Sequence, residues 1–558
     1  MKISIMACLI LLLGLNSFGI SAVLEPLSME ILEEIWSFHP IGATYLGIHK
    51  YDKYMPDYSR KALDSKLKKL KALHDRLIEL DTLTLSADEL VDYYLLRASL
   101  CDEIFDIEKS RVYENDPLVY SRACVNGVYT IMIRHAESVR AKMVSATLRL
   151  NQIPKFLEVA RQNLRRPSYL LCEAAIDQLT EGERFIEEIF EYYKDSVEIE
   201  ERLNLKQATI QAVASMMSFA YWLEQNQDPQ KIFILGEEKY NYKLKNVHLV
   251  DITADSILKI GKHYLLWTES MIDSLDDMLA PARQERVVLP FDFGPQSVVA
   301  YRTEELSQLR EFVAGSELVT IPDFVGKIEI VETPGFLAGL VPGAAMMPPG
   351  PFDRSRRSRF FTPRLPRKFD LAEAEYFYNY IYNRWFLGAA IHEAYPGHHL
   401  QLSIANNHSS SVRRGFRTFF FVEGWALYCE ELMVASGLFE DTIGALINAL
   451  DGVRYRAARI VVDVNLQTGV FGYDDALRFM VDTFGGSDSY YAREIKRYLG
   501  NPIQPSSYLV GKLQINDLMD ECREMWGDNF DLKDFHDELL SHGSIPLKLH
   551  RMLMRGGR

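Results

Sequence analysis

Amphipathic helix periodicity restricts the fold of this chain more than any other feature. From Arg60 to Leu80 the leucines recur at spacings of three and four, the interval that stacks side chains on one face of a helix. Ser86 and Glu89 make a capping-box pattern ahead of the next helical run. Similar patterns recur over 138–165, 170–224 and 251–280, with no fixed-period repeat and no low-complexity tract. The periodicity predicts a mainly α-helical protein: a large helical bundle forming a single domain over residues 23–558.

Composition agrees with a globular body. The chain has 558 residues, 48% hydrophobic and 25% charged, which excludes a disordered or collagen-like protein. Sixty-two basic residues against 77 acidic ones give a net charge of −15. Phosphate backbones need a basic face, so no nucleic-acid partner is expected. Six cysteines are too few for a disulfide framework. Cys101, Cys124, Cys172, Cys429 and Cys522 read as buried apolar fillers.

The N-terminus reads as an export signal. Lys2 precedes an apolar run from Ile3 to Leu15, and the small residues Ser21 and Ala22 follow. This order predicts a signal peptide over residues 1–22. The run is shorter than the roughly 20 residues a spanning helix needs. The expected protein is exported, periplasmic or secreted, with no stable membrane insertion after cleavage.

Prolines and glycines crowd residues 284–370. Within them Lys327–Thr333 alternates like a strand, and Phe360–Thr362 is a second candidate. They predict a small antiparallel β element at about 325–365, whose edge can pair with an extended peptide. Asp370 and Glu373 make a plausible cap for the next helix, which must bend or stop at Pro396.

That helix carries the chemistry. His392-Glu393-Ala394-Tyr395-Pro396-Gly397-His398-His399 begins like H-E-x-x-H, in which two histidines one turn apart hold a metal. Here the i+4 position is Pro396. On a straight helix His398 would lie about 240° round from His392, whereas a two-residue bulge at Pro396-Gly397 would bring it to the same ion. His399 is the alternative: it falls on the right face but about 10.5 Å along the axis. A third ligand is expected on a nearby helix, and Glu423 is the candidate, with Gly424 permitting close packing. Glu430 lies on the same face as Glu423 and can orient a ligating histidine. Glu431 reads as a solvated surface acid.

These residue types suit hydrolysis. One zinc ion per chain, held by His392, His398 and Glu423, would keep a net positive charge and an open position where water is acidified. Glu393, next to the first ligand, is the candidate general base and acid. Tyr508, read as lying in a proline-rich turn ahead of a helix, is the candidate oxyanion donor. The run Arg354, Arg356, Arg357, Arg359, Arg364, Arg367, Lys368 reads either as a solvated face or as a holder of a substrate carboxylate. Arg459 and Asp463, four apart, read as a helix ion pair. His408 with Asn406 and Asn407 reads as loop, and His536 and His542 as structural.

The chain resembles the bacterial family known as domain of unknown function 885. The resemblance rests on Pro40–His49 with Tyr51, Asp52 and Asp57, on His392–Gln401, and on Glu423–Tyr428. It continues through Arg459–Asp463, Glu494–Tyr498, Pro502, Gln504–Tyr508, Gly511, Phe535–Asp537 and Pro546-Leu547. The family is in turn distantly similar to the helical gluzincin peptidases, whose Gly-His second ligand and later glutamate match Gly397-His398 and Glu423. The resemblance implies a helical body with a deep cleft, like the gluzincin oligopeptidases, and a zinc metallopeptidase acting on short or unfolded peptides. Two positions depart from it: Asn465-Leu466-Gln467 stands where relatives tend to show Gly-Leu-His, and Ile503 replaces a usual glycine. The alternative function is a non-catalytic exported metal- or peptide-binding protein of the same fold.

Overall fold

The computed structural model describes residues 24–134, 138–232, 234–279, 295–333, 345–362 and 384–556. The predicted signal peptide, the cap at Asp370 and Glu373, and Arg364, Arg367 and Lys368 lie outside these residues.

The described chain is mainly helical. Among the longer and site-forming helices are α1 (Leu24–Phe38), α2 (Arg60–Ile78), α3 (Ala87–Phe105), α4 (Leu118–Ile133), α5 (Tyr169–Tyr193), α6 (Ile199–Asn226) and α7 (Ala254–Leu279). After a small sheet come α8 (Arg384–Glu393), α9 (His398–Asn406), α10 (Phe419–Ala435), α11 (Thr442–Gln467), α12 (Asp488–Leu499), α13 (Gln504–Trp526) and α14 (Leu532–Ser541). The leucine stripe of α2 points inward, with Leu63, Leu70, Leu73 and Leu77 buried. Ser86 caps α3: its hydroxyl accepts from the Glu89 N–H while the Glu89 carboxylate accepts from the Ser86 N–H, which satisfies two orphan donors. The five cysteines among the described residues are buried.

The sheet is mixed, which corrects the antiparallel expectation. Its order is β1 (Ile328–Glu332), β3 (Ser358–Thr362), β2 (Ala345–Met347). β1 runs parallel to β3, and β2 runs antiparallel to it. Two parallel neighbours need a long connection between them, and here β2 lies between β1 and β3 in the sequence. Alternation along a strand reports which face is buried but not which neighbour it meets or in which direction.

Two glycines set the distance between the site helices. A Cβ on Gly424 of α10 would stand 2.6 Å from the Gly511 carbonyl carbon on α13, and one on Gly511 would overlap the Phe420 carbonyl oxygen. The two helices therefore meet backbone to backbone. Beside this contact, Ile391, Ala394, Leu400, Phe421, Trp425, Ile515 and Leu518 are buried in one apolar cluster. That cluster fixes α8, α9, α10 and α13 against each other.

Candidate metal centre

The break after α8 inserts two residues. Ala394 N–H still donates to Ala390 O, four residues back. Gly397 N–H reaches Ile391 O at 3.1 Å and Leu400 N–H reaches Ala394 O at 3.4 Å, each six residues back. Helical bonding resumes with Gln401 N–H to Gly397 O. Gly397 is required there, because a Cβ would overlap the carbonyl oxygens of Ile391 and His392. Trp425 on α10 holds the turn from the other side, its indole N–H donating to Pro396 O at 2.9 Å.

This offset separates the fates of the two adjacent histidines. His398 turns toward His392, with ring centroids 4.7 Å apart at an interplanar angle of 83°. His399 turns into the sheet, where Nε2–H donates to Gly326 O at 3.1 Å and Nδ1 accepts from the Ser358 hydroxyl at 2.7 Å. Burial holds His399 neutral, its pKa pushed down to about 4. His399 is thus an anchor for β3.

His392 and His398 meet Glu423. Each Nε2 lies 3.5 Å from the same oxygen, Oε2 of Glu423. That is longer than a good hydrogen bond. Donors about 2.0–2.1 Å from a tetrahedral ion stand about 3.3–3.4 Å from each other, so the spacing matches the edge of a metal tetrahedron. Glu430 accepts from His392 Nδ1–H at 2.8 Å, which turns His392 Nε2 toward the Glu423 carboxylate. Burial opposes a charge on His392, but Glu423 and Glu430 outweigh it and push its pKa up to about 10. Burial likewise opposes ionisation of Glu423, but His392 and His398 hold its pKa well below the usual carboxylate range. His398 Nδ1 is buried without a hydrogen-bond partner among the described residues.

Glu393 stands beside this group. Ligand atoms of His392, Glu393 and His398 fall within 4.8 Å of one another. Glu393 Oε2 accepts from the Met346 N–H at 3.2 Å, so the free edge of β2 borders the site. His392, Glu393 and His398 thus converge, and Glu423 faces both imidazoles, so two carboxylates stand beside the histidine pair.

Tyr508 comes into the same region, with its ring 6.3 Å from that of His392 and 21° from parallel. It lies inside α13, because the helix begins at Gln504 and Pro505 fits its first turn. Its hydroxyl accepts from Gln504 Nε2–H at 3.2 Å. The Arg459 guanidinium lies 4.3 Å and that of Arg456 5.7 Å from its ring centre. Burial, then the Glu423 charge, pushes its pKa up, so it remains a hydroxyl at neutral pH. Residue 503 is strained: Ile503 has φ of 74°, a region that branched side chains avoid. Its N–H donates to the buried Asp463 carboxylate at 3.2 Å.

Several sequence expectations change. Arg459 and Asp463 have no direct ion pair. Asp463 accepts from the Tyr240 and Ser506 hydroxyls, while Arg459 donates to Gln504 Oε1. Glu431 is not merely solvated, because Lys512 pairs with it. Of the basic run, Arg359 pairs with Glu329 and Arg356 donates to Phe324 O and Asn407. His408 lies in a loop, and His536 is structural, bridging the Tyr428 hydroxyl and Leu318 O. Sequence reasoning missed Arg456, Gln504 and Met346. Gln504 had a signal: it lies four residues before Tyr508, one turn away on the same helix.

The class defined by fold and site is a mainly helical protein with two imidazoles and two glutamates, Glu393 and Glu423, converging. A family model described as "Bacterial protein of unknown function (DUF885)" matches residues 40–554, and the chain belongs to that family. Two solved structures share its fold. One is titled a "putative lipoprotein of unknown function" from Shewanella oneidensis, with a TM-score of 0.78 and 23% identity, covering 96% of this chain and 100% of that one. The other is a "putative lipoprotein" from Colwellia psychrerythraea, with a TM-score of 0.77 and 18% identity, covering 96% and 98%. No curated protein matches the chain.

Proposed function

We propose that this chain is an exported, zinc-dependent peptidase of short or unfolded peptides, with His392, His398 and Glu423 as ligands. One observation carries the reading: two imidazole nitrogens each face a single oxygen of Glu423 at 3.5 Å. A proton on His392 supplies positive charge facing this carboxylate, and a metal ion would take that proton's place. The order His-Glu, Gly-His and, a helix later, glutamate is similar to that of the gluzincin peptidases and supports the same reading. Export is supported by the titles of the two structural neighbours. No described helix is long and apolar enough to cross a membrane.

A bound zinc ion supplies Lewis acidity and brings the pKa of water towards about 7. Glu393, oriented by the Met346 N–H, takes a proton from the attacking water and passes it to the leaving amine. The Tyr508 hydroxyl accepts from Gln504, so its own proton is left to donate to the carbonyl oxygen as charge develops. Glu430 keeps His392 in the tautomer that offers Nε2. Side chains of His398 and Glu423 are only 12% and 15% exposed, which favours an extended peptide over a folded protein.

The test is Glu393→Gln, assayed for cleavage of a mixed peptide pool and for bound zinc. Cleavage falls by roughly two to four orders of magnitude while zinc is retained. Zinc without cleavage in the wild-type chain would replace this reading with that of a metal- or peptide-binding protein.

A further inference from the structure

We propose that a second site on this chain binds a small oxyanion, a carboxylate or a phosphate group. It is a cavity of about 170 Å³ at the far end of α9, between that helix and the segment joining β2 to β3. At about 30 Å³ per water the space holds roughly five waters. That suits an anionic head group, and it is well short of the roughly 300 Å³ or more of a drug-sized pocket.

The lining explains the ligand class. In a protein of net charge −15, two guanidiniums meet here, Arg356 and Arg414. Neither has a carboxylate partner among the described residues. Arg356 donates to Phe324 O and to Asn407 Oδ1, both at 3.4 Å. Arg414 donates to the Ser411 hydroxyl at 3.3 Å, and its Nε is buried with no partner. These contacts are long for charged donors. The rings of Phe324 and Phe352 lie 5.7 and 4.7 Å from the two guanidiniums and hold them in place. Ser403, 7% exposed, lines the same cavity, and its hydroxyl has no partner.

Asp353 also lines the cavity and would oppose an anion if its charge were free. It is not. Its Oδ1 accepts from His49 at 2.8 Å, its Oδ2 accepts from the Gly350 N–H at 3.2 Å, and Arg134 stands 3.7 Å away. Planar guanidinium forks are the groups best matched to carboxylate and phosphate oxygens. Two of them with spare donors, beside an unpaired hydroxyl, fit an oxyanion.

The cavity also stands at a useful distance from the candidate metal centre. His398 begins α9, and Ser403 and Asn406 lie five and eight residues on, roughly 8–12 Å along the axis. That is about three residues of extended chain. The oxyanion is therefore either free or the terminal carboxylate of a bound peptide.

The experiment is calorimetric titration of the mature chain with inorganic phosphate, then with a tripeptide as free acid and as C-terminal amide. Phosphate is expected to bind saturably at one site. Arg356→Met weakens it at least tenfold, and so does Arg414→Met. Arg414→Lys, which keeps the charge and the fold, weakens it less. His398→Ala leaves it unchanged. A free acid that displaces phosphate, with an amide that does not, identifies a peptide terminus as the source. Phosphate binding alone identifies a free anion. No saturable binding of either oxyanion overturns the proposal. So does phosphate binding lost in His398→Ala and retained in Arg356→Met, which would put the anion at the metal centre.

Discussion

Two groups of partly or wholly buried histidines in this protein face opposite charges. At one, His392 and His398 look onto Glu423, with Glu430 behind. At the other, His542 Nδ1 lies 3.3 Å from His550 Nδ1, and His408 Nε2 lies 3.3 Å from the Arg413 guanidinium. Burial and then the Arg413 charge push His408 and His542 down to about 4. Burial drives His550 down as well. Arg413 supplies permanent positive charge there, and Asp88 and Asp92 answer it. Clustered imidazoles alone do not make a metal centre. The carboxylates facing them decide whether the site attracts a cation or stays neutral.

The largest expected effect separates the two groups. Glu423→Gln should abolish stoichiometric zinc binding, whereas His542→Gln should leave it intact. Equilibrium dialysis with metal analysis reads both. Next is Tyr508→Phe, which keeps the ring under Arg459 and removes one donor. It should lower kcat by about 10²–10³ with little change in KM. An equal fall in affinity for uncleaved peptide would instead make Tyr508 a binding residue.

Glu430→Gln should follow, weakening zinc affinity by about 10–100-fold through the orientation of His392. Competition with a chromophoric chelator measures it. The smallest effect belongs to the arginine-faced group. The folded-state pKa of His542 lies below its unfolded value of about 6.5. Its contribution to stability is therefore present above about pH 6.5 and is lost as pH falls through about 4. His542→Gln should make the denaturation midpoint fall less steeply across that window, with His408 and His399 supplying the remaining slope.

Much of the first group was legible from residue types and spacing. Glu423, Gly424 and Glu430 were readable because helical periodicity fixes which residues share a face. The offset at Pro396-Gly397 was readable because i+6 cannot converge with i on a straight helix. Which of His398 and His399 faces His392 was not, since their separation depends on Ser358 and Gly326, contacts far away in sequence. Arg459 and Asp463 misled for a related reason. The i,i+4 rule describes exposed helix faces, and α11 is buried there, so each residue found a tertiary partner instead. The parallel pairing of β1 with β3 was illegible because strand alternation carries no information about direction.

The most direct measurement is a zinc-edge anomalous difference map of the zinc-loaded crystal. The account predicts one strong peak about 2.0–2.2 Å from His392 Nε2, His398 Nε2 and a Glu423 oxygen. A map with no peak there, or with its peak beside His542 and His550, would contradict it.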